Sequence, residues 1–274
     1  MLLRVALVQI GTGYDKTANV NKVLNALDSI SQMHEKPNLI CLPELFTVRR
    51  VEEVKSGLGK YAETIPGRLS QELSGRAKKI GCILVAGSFV EVAEGRFYNT
   101  CLAFDGSGEL IAKYRKTHLF DAPGGHSESS VLTPGDNLTV VDTEFGKIGL
   151  MICYELRFPE AARTLALMGA TMLCVPNSWP IDHLNMASDQ LRILLQGTAL
   201  QNQLYLIHAN QFGTVDSDLD LCGRSCVVDP SGQIIAQAPD QECTVHTTID
   251  TNLVEKVRRT RLTFSHRRPE LYRT

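Results

Sequence analysis

The chain has 274 residues, 43% of them apolar and 21% charged, which is ample for one large α/β core. A formal net charge of −2 excludes the strong positive field expected of a nucleic-acid or anionic-membrane binder. No apolar run reaches the roughly 20 residues of a membrane helix, and the opening MLLRVALVQIG, lacking a basic n-region, reads as a strand rather than a secretory signal. Without an export signal, the eight cysteines are expected to be free thiols in a reducing, cytoplasmic setting. Cys222 and Cys226 form the one close pair and have no companion Cys or His pair, so no metal site is expected.

In chain order, residues 2–10 predict a strand, and Asp15 or Thr17 can cap a helix whose apolar face carries Val20, Val23, Leu24, Leu27 and Ile30. Residues 39–42 predict a short buried strand, 67–80 a helix and 83–90 a strand. Residues 97–104 and 110–114 flank Asp-Gly-Ser-Gly, a hairpin signal. A second series follows: strands at 138–143 and 148–153 around Glu-Phe-Gly-Lys, a helix at 159–168, a strand at 172–175, a long helix at 184–202 and a strand at 204–209. Residues 227–228 and 233–236 flank Asp-Pro-Ser-Gly; a strand at 244–249 and a helix at 252–260 close the series. Strand–helix–strand units mixed with hairpins predict an α/β fold of mixed sheets covered by helices. With no linker or low-complexity segment, residues 1–260 read as one domain followed by a tail, 261–274.

Most of the cysteines sit inside apolar β-like runs such as GCILVAG, TMLCVP and LICLPEL, where a thiol packs as a small hydrophobe. Cys153 differs. It ends the apolar run of KIGLMICYELRFPE, and Pro159, a favoured first helical residue, follows soon after. Tyr154 to Phe158 then form a strand-to-helix turn, where α/β sheets place their sites. A thiol near a helix N-terminus and beside cations is expected to have a lowered pKa. A nucleophile also needs a base and a group to hold the developing oxyanion. Glu44, at the end of a buried strand in CLPELF, and Lys116, after a hairpin strand in YRKTHLFD, supply those types.

These stretches give the chain a resemblance to the carbon–nitrogen hydrolase family, the nitrilase superfamily, and to its Nit and ω-amidase-like branch. CLPELF, YRKTHLFD and GLMICYELRFPE carry it, in the family's order and separations; ESSVLTPGD around Glu128, VPNSWP, GRSCVVDPSG and the C-terminal RRPELY support it. The resemblance implies a four-layer α-β-β-α sandwich with two mixed sheets. It implies a Glu44–Lys116–Cys153 triad with Glu128 as an additional active-site glutamate, and no metal or organic cofactor. It further implies a homodimer or higher homo-oligomer whose tail reaches over the partner.

The expected chemistry follows from the residue types. Glu44 takes the thiol proton as Cys153 attacks an amide carbonyl; Lys116 and the Tyr154 backbone N–H hold the oxyanion; a thioester forms and water releases the acid. For Arg157 two readings stay open: a guanidinium for a substrate carboxylate, or an ion pair with Glu155 or Glu160. Asn177 and Trp179 are expected to line the pocket, and the loop of residues 121–129, with its two glycines, to lie over the entrance. Because nitrilases proper carry a C-terminal extension, a small carboxylated amide is the preferred substrate, followed by an N-carbamoyl compound and then a nitrile. A Cys–His hydrolase using His118 and a non-catalytic scaffold are the rivals from other classes.

Overall fold

The computed structural model describes residues 1–122, 127–181, 187–214 and 220–272. The first half of the chain runs β1 (Leu2–Gln9), α1 (Lys16–Ser31), β2 (Leu39–Cys41), α2 (Arg68–Ile80), β3 (Ile83–Val85), β4 (Phe89–Ala93), β5 (Arg96–Phe104) and β6 (Leu110–Arg115). The second runs β7 (Thr139–Thr143), β8 (Gly146–Leu150), α3 (Pro159–Leu167), β9 (Met172–Asn177), α4 (Ala187–Asn202) and β10 (Tyr205–Asn210). It continues through the small pair β11 (Phe212–Thr214) and β12 (Asp220–Cys222) to β13 (Cys226–Val228), β14 (Ile234–Gln237), β15 (Cys243–Asp250) and α5 (Asn252–Thr260).

Two mixed sheets result. One has the order β15-β1-β2-β3-β5-β4 with β6 on the other side of β5; the other has the order β14-β13-β10-β9-β8-β7. Because successive strand side chains point to opposite faces, Leu3, Val5 and Leu7 of β1 meet Ile148, Leu150, Cys174 and Ile207 of the second sheet in the central core. Ala6 and Val8 turn outward, against Val23, Leu27 and Leu73 of α1 and α2. The outer face of the second sheet buries Leu173, Val175 and Leu206 against Leu165, Leu191 and Leu195 of α3 and α4. The layers are therefore α-β-β-α. Asp15 caps α1, its carboxylate accepting the Ala18 N–H at 3.0 Å. The eight thiols are all free.

Two expected strands differ. Residues 83–90 are broken into β3 and β4 at Gly87, whose φ is +56° and where a Cβ would stand 2.1 Å from the Pro43 carbonyl oxygen. The break lets Ser88 turn back, so that its hydroxyl accepts the Leu45 N–H at 2.9 Å and steadies the Glu44 loop. The strand expected through residue 153 ends at Leu150, and Cys153–Arg157 coil into a short 3-10 helix. The start of the helix expected at 184 and the glycines of the 121–129 loop, Gly124 and Gly125, lie outside the described residues. Among the described residues no helix is long and apolar enough to cross a membrane.

Candidate active site

Glu44, Lys116, Glu128 and Cys153 line one cavity of about 240 Å³ between the strand ends of the two sheets. Each arrives on a separate element. Glu44 follows β2; its N–H donates to the Asn177 carbonyl at 3.2 Å, and its own carbonyl accepts the Gln211 side-chain amide at 2.6 Å. Lys116 follows β6, its N–H donating to the Asn99 carbonyl at 2.9 Å. Glu128 opens a short 3-10 turn, Glu128–Ser130. Cys153 has a φ of +49°, a left-handed conformation that costs a non-glycine residue energy and marks a constrained turn.

The ammonium is the hub. Lys116 is 1% exposed, and its Nζ donates to Glu44 Oε1 at 2.9 Å and to the two Glu128 oxygens at 3.0 and 2.9 Å. Burial disfavours its charge, but Glu128, Glu44 and Cys153 outweigh burial and hold its pKa well above the lysine range. Glu128 titrates high because it is desolvated and faces Glu44, with Lys116 pulling the other way. Glu44 Oε1 also accepts the Asn99 side-chain amide at 2.9 Å.

The thiol corrects one expectation. Its pKa is pushed well above the cysteine range: burial raises it most and the Glu44 carboxylate raises it further, while Lys116 and the Ser178 backbone N–H oppose them. The Lys116 cation is shared between two carboxylates, and its pull on the thiol is outweighed by burial and Glu44. The thiol, half-buried beside Glu44 in the cavity, therefore rests protonated. A thiol in that state is not a standing thiolate.

Around this centre, the Tyr154 ring packs edge-on against Phe120 and Phe158, with centroids 5.0 and 5.3 Å away, and lines the cavity. Arg157 and Trp179 line it too; the guanidinium lies 4.9 Å over the indole and donates to Gln190 Oε1 at 3.2 Å. Of the two readings left open for Arg157, the ion pair with Glu155 does not form, because the Glu155 carboxylate is turned inward to Tyr114, Thr117 and Ile152. Asn177 is not on the cavity wall. It is fully buried behind it, its side-chain amide meeting His208 Nε2 at 3.0 Å and its carbonyl holding the Glu44 N–H. Asn177 is the last residue of β9, one position too early to face the opening. His118 lies behind the turn, stacked on Phe158 at 4.0 Å, and among the described residues no histidine lines the cavity.

Sequence reasoning missed Asn99, Gln211, Ser178 and Phe120. A signal existed for Asn99, an amide embedded in the apolar run FYNTCLAF. Nothing in the sequence pattern pointed to Ser178, which lines the cavity and whose N–H donates to Asn177 Oδ1 at 3.1 Å. Arg49 and Arg50 also reach the wall from the segment after Glu44.

A family model described as carbon-nitrogen hydrolase matches residues 4–259. Human omega-amidase NIT2 is 33% identical over 98% of this chain and 96% of its own length. Omega-amidase NIT3 of Saccharomyces cerevisiae is 34% identical over 98% and 94%. The solved structure of S. cerevisiae Nit3, described as a member of branch 10 of the nitrilase superfamily, superposes with a TM-score of 0.84 at 31% identity, over 94% of each chain.

Proposed function

The chain belongs to the carbon–nitrogen hydrolase family, and on that footing we propose that it is an amidase that cleaves a small, carboxylated amide through a thioester on Cys153, releasing ammonia. One observation carries the proposal: the buried Lys116 ammonium stands 2.9 Å from Glu44 in the cavity that Cys153 lines.

In the proposed reaction, Glu44 accepts the thiol proton as the sulfur adds to the amide carbonyl. A thiol held neutral at rest, in the cavity that this carboxylate also lines, suits a transfer concerted with attack. The oxyanion is held by Lys116 and the Tyr154 N–H. Glu44 returns the proton to the departing amine, leaving the acyl group on sulfur, and then takes a proton from the water that releases the acid. Glu128 keeps the ammonium in place through two contacts at 2.9 and 3.0 Å. Arg157, aligned by Trp179 and Gln190, is the proposed partner of the substrate carboxylate. The omega-amidase names of the human and yeast relatives support an amide over a nitrile.

The protein is further proposed to work as a homodimer. Leu167 and Met168 at the end of α3, Ile193 and Leu200 on α4, and Leu271 and Tyr272 in the tail are exposed apolar side chains that a partner would cover. Incubation with amides, N-carbamoyl amino acids and nitriles, followed by ammonia release and by mass spectrometry of the stalled protein, tests the chemistry. An acyl adduct on Cys153 from a carboxylated amide, absent in Cys153→Ala, is expected. Full turnover by Cys153→Ala would overturn it.

A further inference from the structure

Glu155 is fully buried two residues after Cys153, and its carboxylate touches the chain on both sides of the site. Oε2 accepts the Ile152 N–H at 2.6 Å. Oε1 accepts the Thr117 N–H at 2.8 Å, the Thr117 hydroxyl at 2.6 Å, the Tyr114 hydroxyl at 2.6 Å and the His118 N–H at 3.3 Å. Ile152 immediately precedes Cys153, and Thr117 immediately follows Lys116. One carboxylate therefore stands a single residue away from both the sulfur and the ammonium.

The two segments it joins belong to different sheets and share no backbone ladder. Among the described residues no Lys or Arg pairs with the carboxylate; His118 Nδ1 stands 3.7 Å away. Burial disfavours its charge, and the hydrogen bonds from His118, Thr117, Tyr114 and Ile152 outweigh burial and keep it ionised. A buried charge of this kind is a poor way to gain stability compared with an apolar side chain of the same volume. What it supplies is geometry, since each oxygen accepts from a different segment.

We propose that Glu155 is a positioning residue: it clamps the turn carrying Cys153 to the loop that follows Lys116, and so sets the sulfur's place relative to the ammonium. The inference rests on the triad chemistry proposed above. It requires acceptors on both oxygens. Glutamine offers one oxygen and one NH₂, so in Glu155→Gln a donor must face either Ile152 or the Thr117 pair. Aspartate keeps both acceptors on a shorter stem.

Steady-state kinetics on an amide found active in the substrate panel, together with the rate of Cys153 alkylation by iodoacetamide read by intact mass, test the clamp. Glu155→Gln is expected to lower kcat about 30- to 100-fold with KM within about threefold, since misplacing reacting groups by an ångström costs rates of that order without changing binding. Alkylation of Cys153 is expected to slow at least about tenfold, and Glu155→Asp to regain at least about a tenth of the wild-type kcat. If Glu155→Gln does not fold, Tyr114→Phe and Thr117→Val each remove one donor and are expected to lower kcat about three- to tenfold at constant KM. Folded Glu155→Gln with kcat within about twofold of wild type, a change confined to KM, or Glu155→Asp no better than Glu155→Gln would overturn the clamp. A wild-type protein that hydrolyses no compound in the panel would instead sink the amidase reading, and the alkylation rates would still decide the clamp.

Discussion

Two buried acid–base clusters sit on opposite faces of the same hairpin and differ first in the ratio of acids to bases. On β5 and at the end of β6, Asn99 and Lys116 turn to Glu44, while their chain neighbours Thr100 and Arg115 turn to Glu91. Glu91, 1% exposed, is served by two cations: Arg115 grips both its oxygens at 2.8 Å and Lys113 adds a contact at 3.0 Å. Burial raises the Glu91 pKa, but the bonds from Arg115, Thr100 and Lys113 prevail and bring it down to about 2. On the other face the count is reversed, with one ammonium between two carboxylates and the cavity alongside. A saturated acid can only hold strands together. An acid that shares its cation and borders a cavity and a thiol is placed to exchange a proton.

The comparison can be broken from either face. The largest effect is expected at Lys116→Ala, which removes the proposed oxyanion donor and should lower kcat about 100- to 1,000-fold. A loss under about tenfold, measured as ammonia release per folded molecule, would strip the hub of its role. Glu91→Gln should do the opposite, costing about 2 kcal/mol of stability in urea unfolding; the figure is kept modest because Arg115 and Lys113 reach water. Its kcat should stay within about threefold of wild type, and a larger fall would mean the two faces are not separate.

Acid sharpens the contrast through a third group. His208, buried beside Asn177, has its pKa depressed by burial from 6.5 to about 3. The unfolded chain therefore binds this proton first, so the stability held above pH 6.5 is lost as the pH falls toward 3, by about 2 kcal/mol at pH 5. Glu91 adds a loss only below 4.5, as the pH falls toward 2. His208→Gln should flatten the stability profile between pH 6.5 and 4.5, and an unchanged slope there would mean His208 does not titrate as described. The smallest effect is expected at Thr100→Val, about 1 kcal/mol with no change in kcat. Equal kinetic damage from Thr100→Val and Asn99→Ala would erase the distinction between the faces.

Hairpins announced by Asp-Gly-Ser-Gly and Asp-Pro-Ser-Gly, and helices announced by Asp15 and Pro159, were legible because turn and cap chemistry is local. The break at Gly87 was not, because it answers to the Pro43 carbonyl, 44 residues back in the chain. Asn177 was expected on the cavity wall because its motif ends a strand, yet the register of β9 turns its side chain to His208. Glu155 was one of two acids, with Glu160, open as an ion-pair partner for Arg157, and the fold turned it inward instead, toward Tyr114 and Thr117.

By itself the sequence determined the order of the elements, the mixed sheets covered by helices, and the three residue types in their three motifs, since each of these depends on spacing within a few positions of the chain. The tertiary structure alone decided that the sulfur rests protonated, that one ammonium serves two acids, and that a single buried carboxylate bridges the two sheets. Those outcomes depend on burial and on distances between segments far apart in the chain, and desolvation and Coulomb energies have no value until such distances exist.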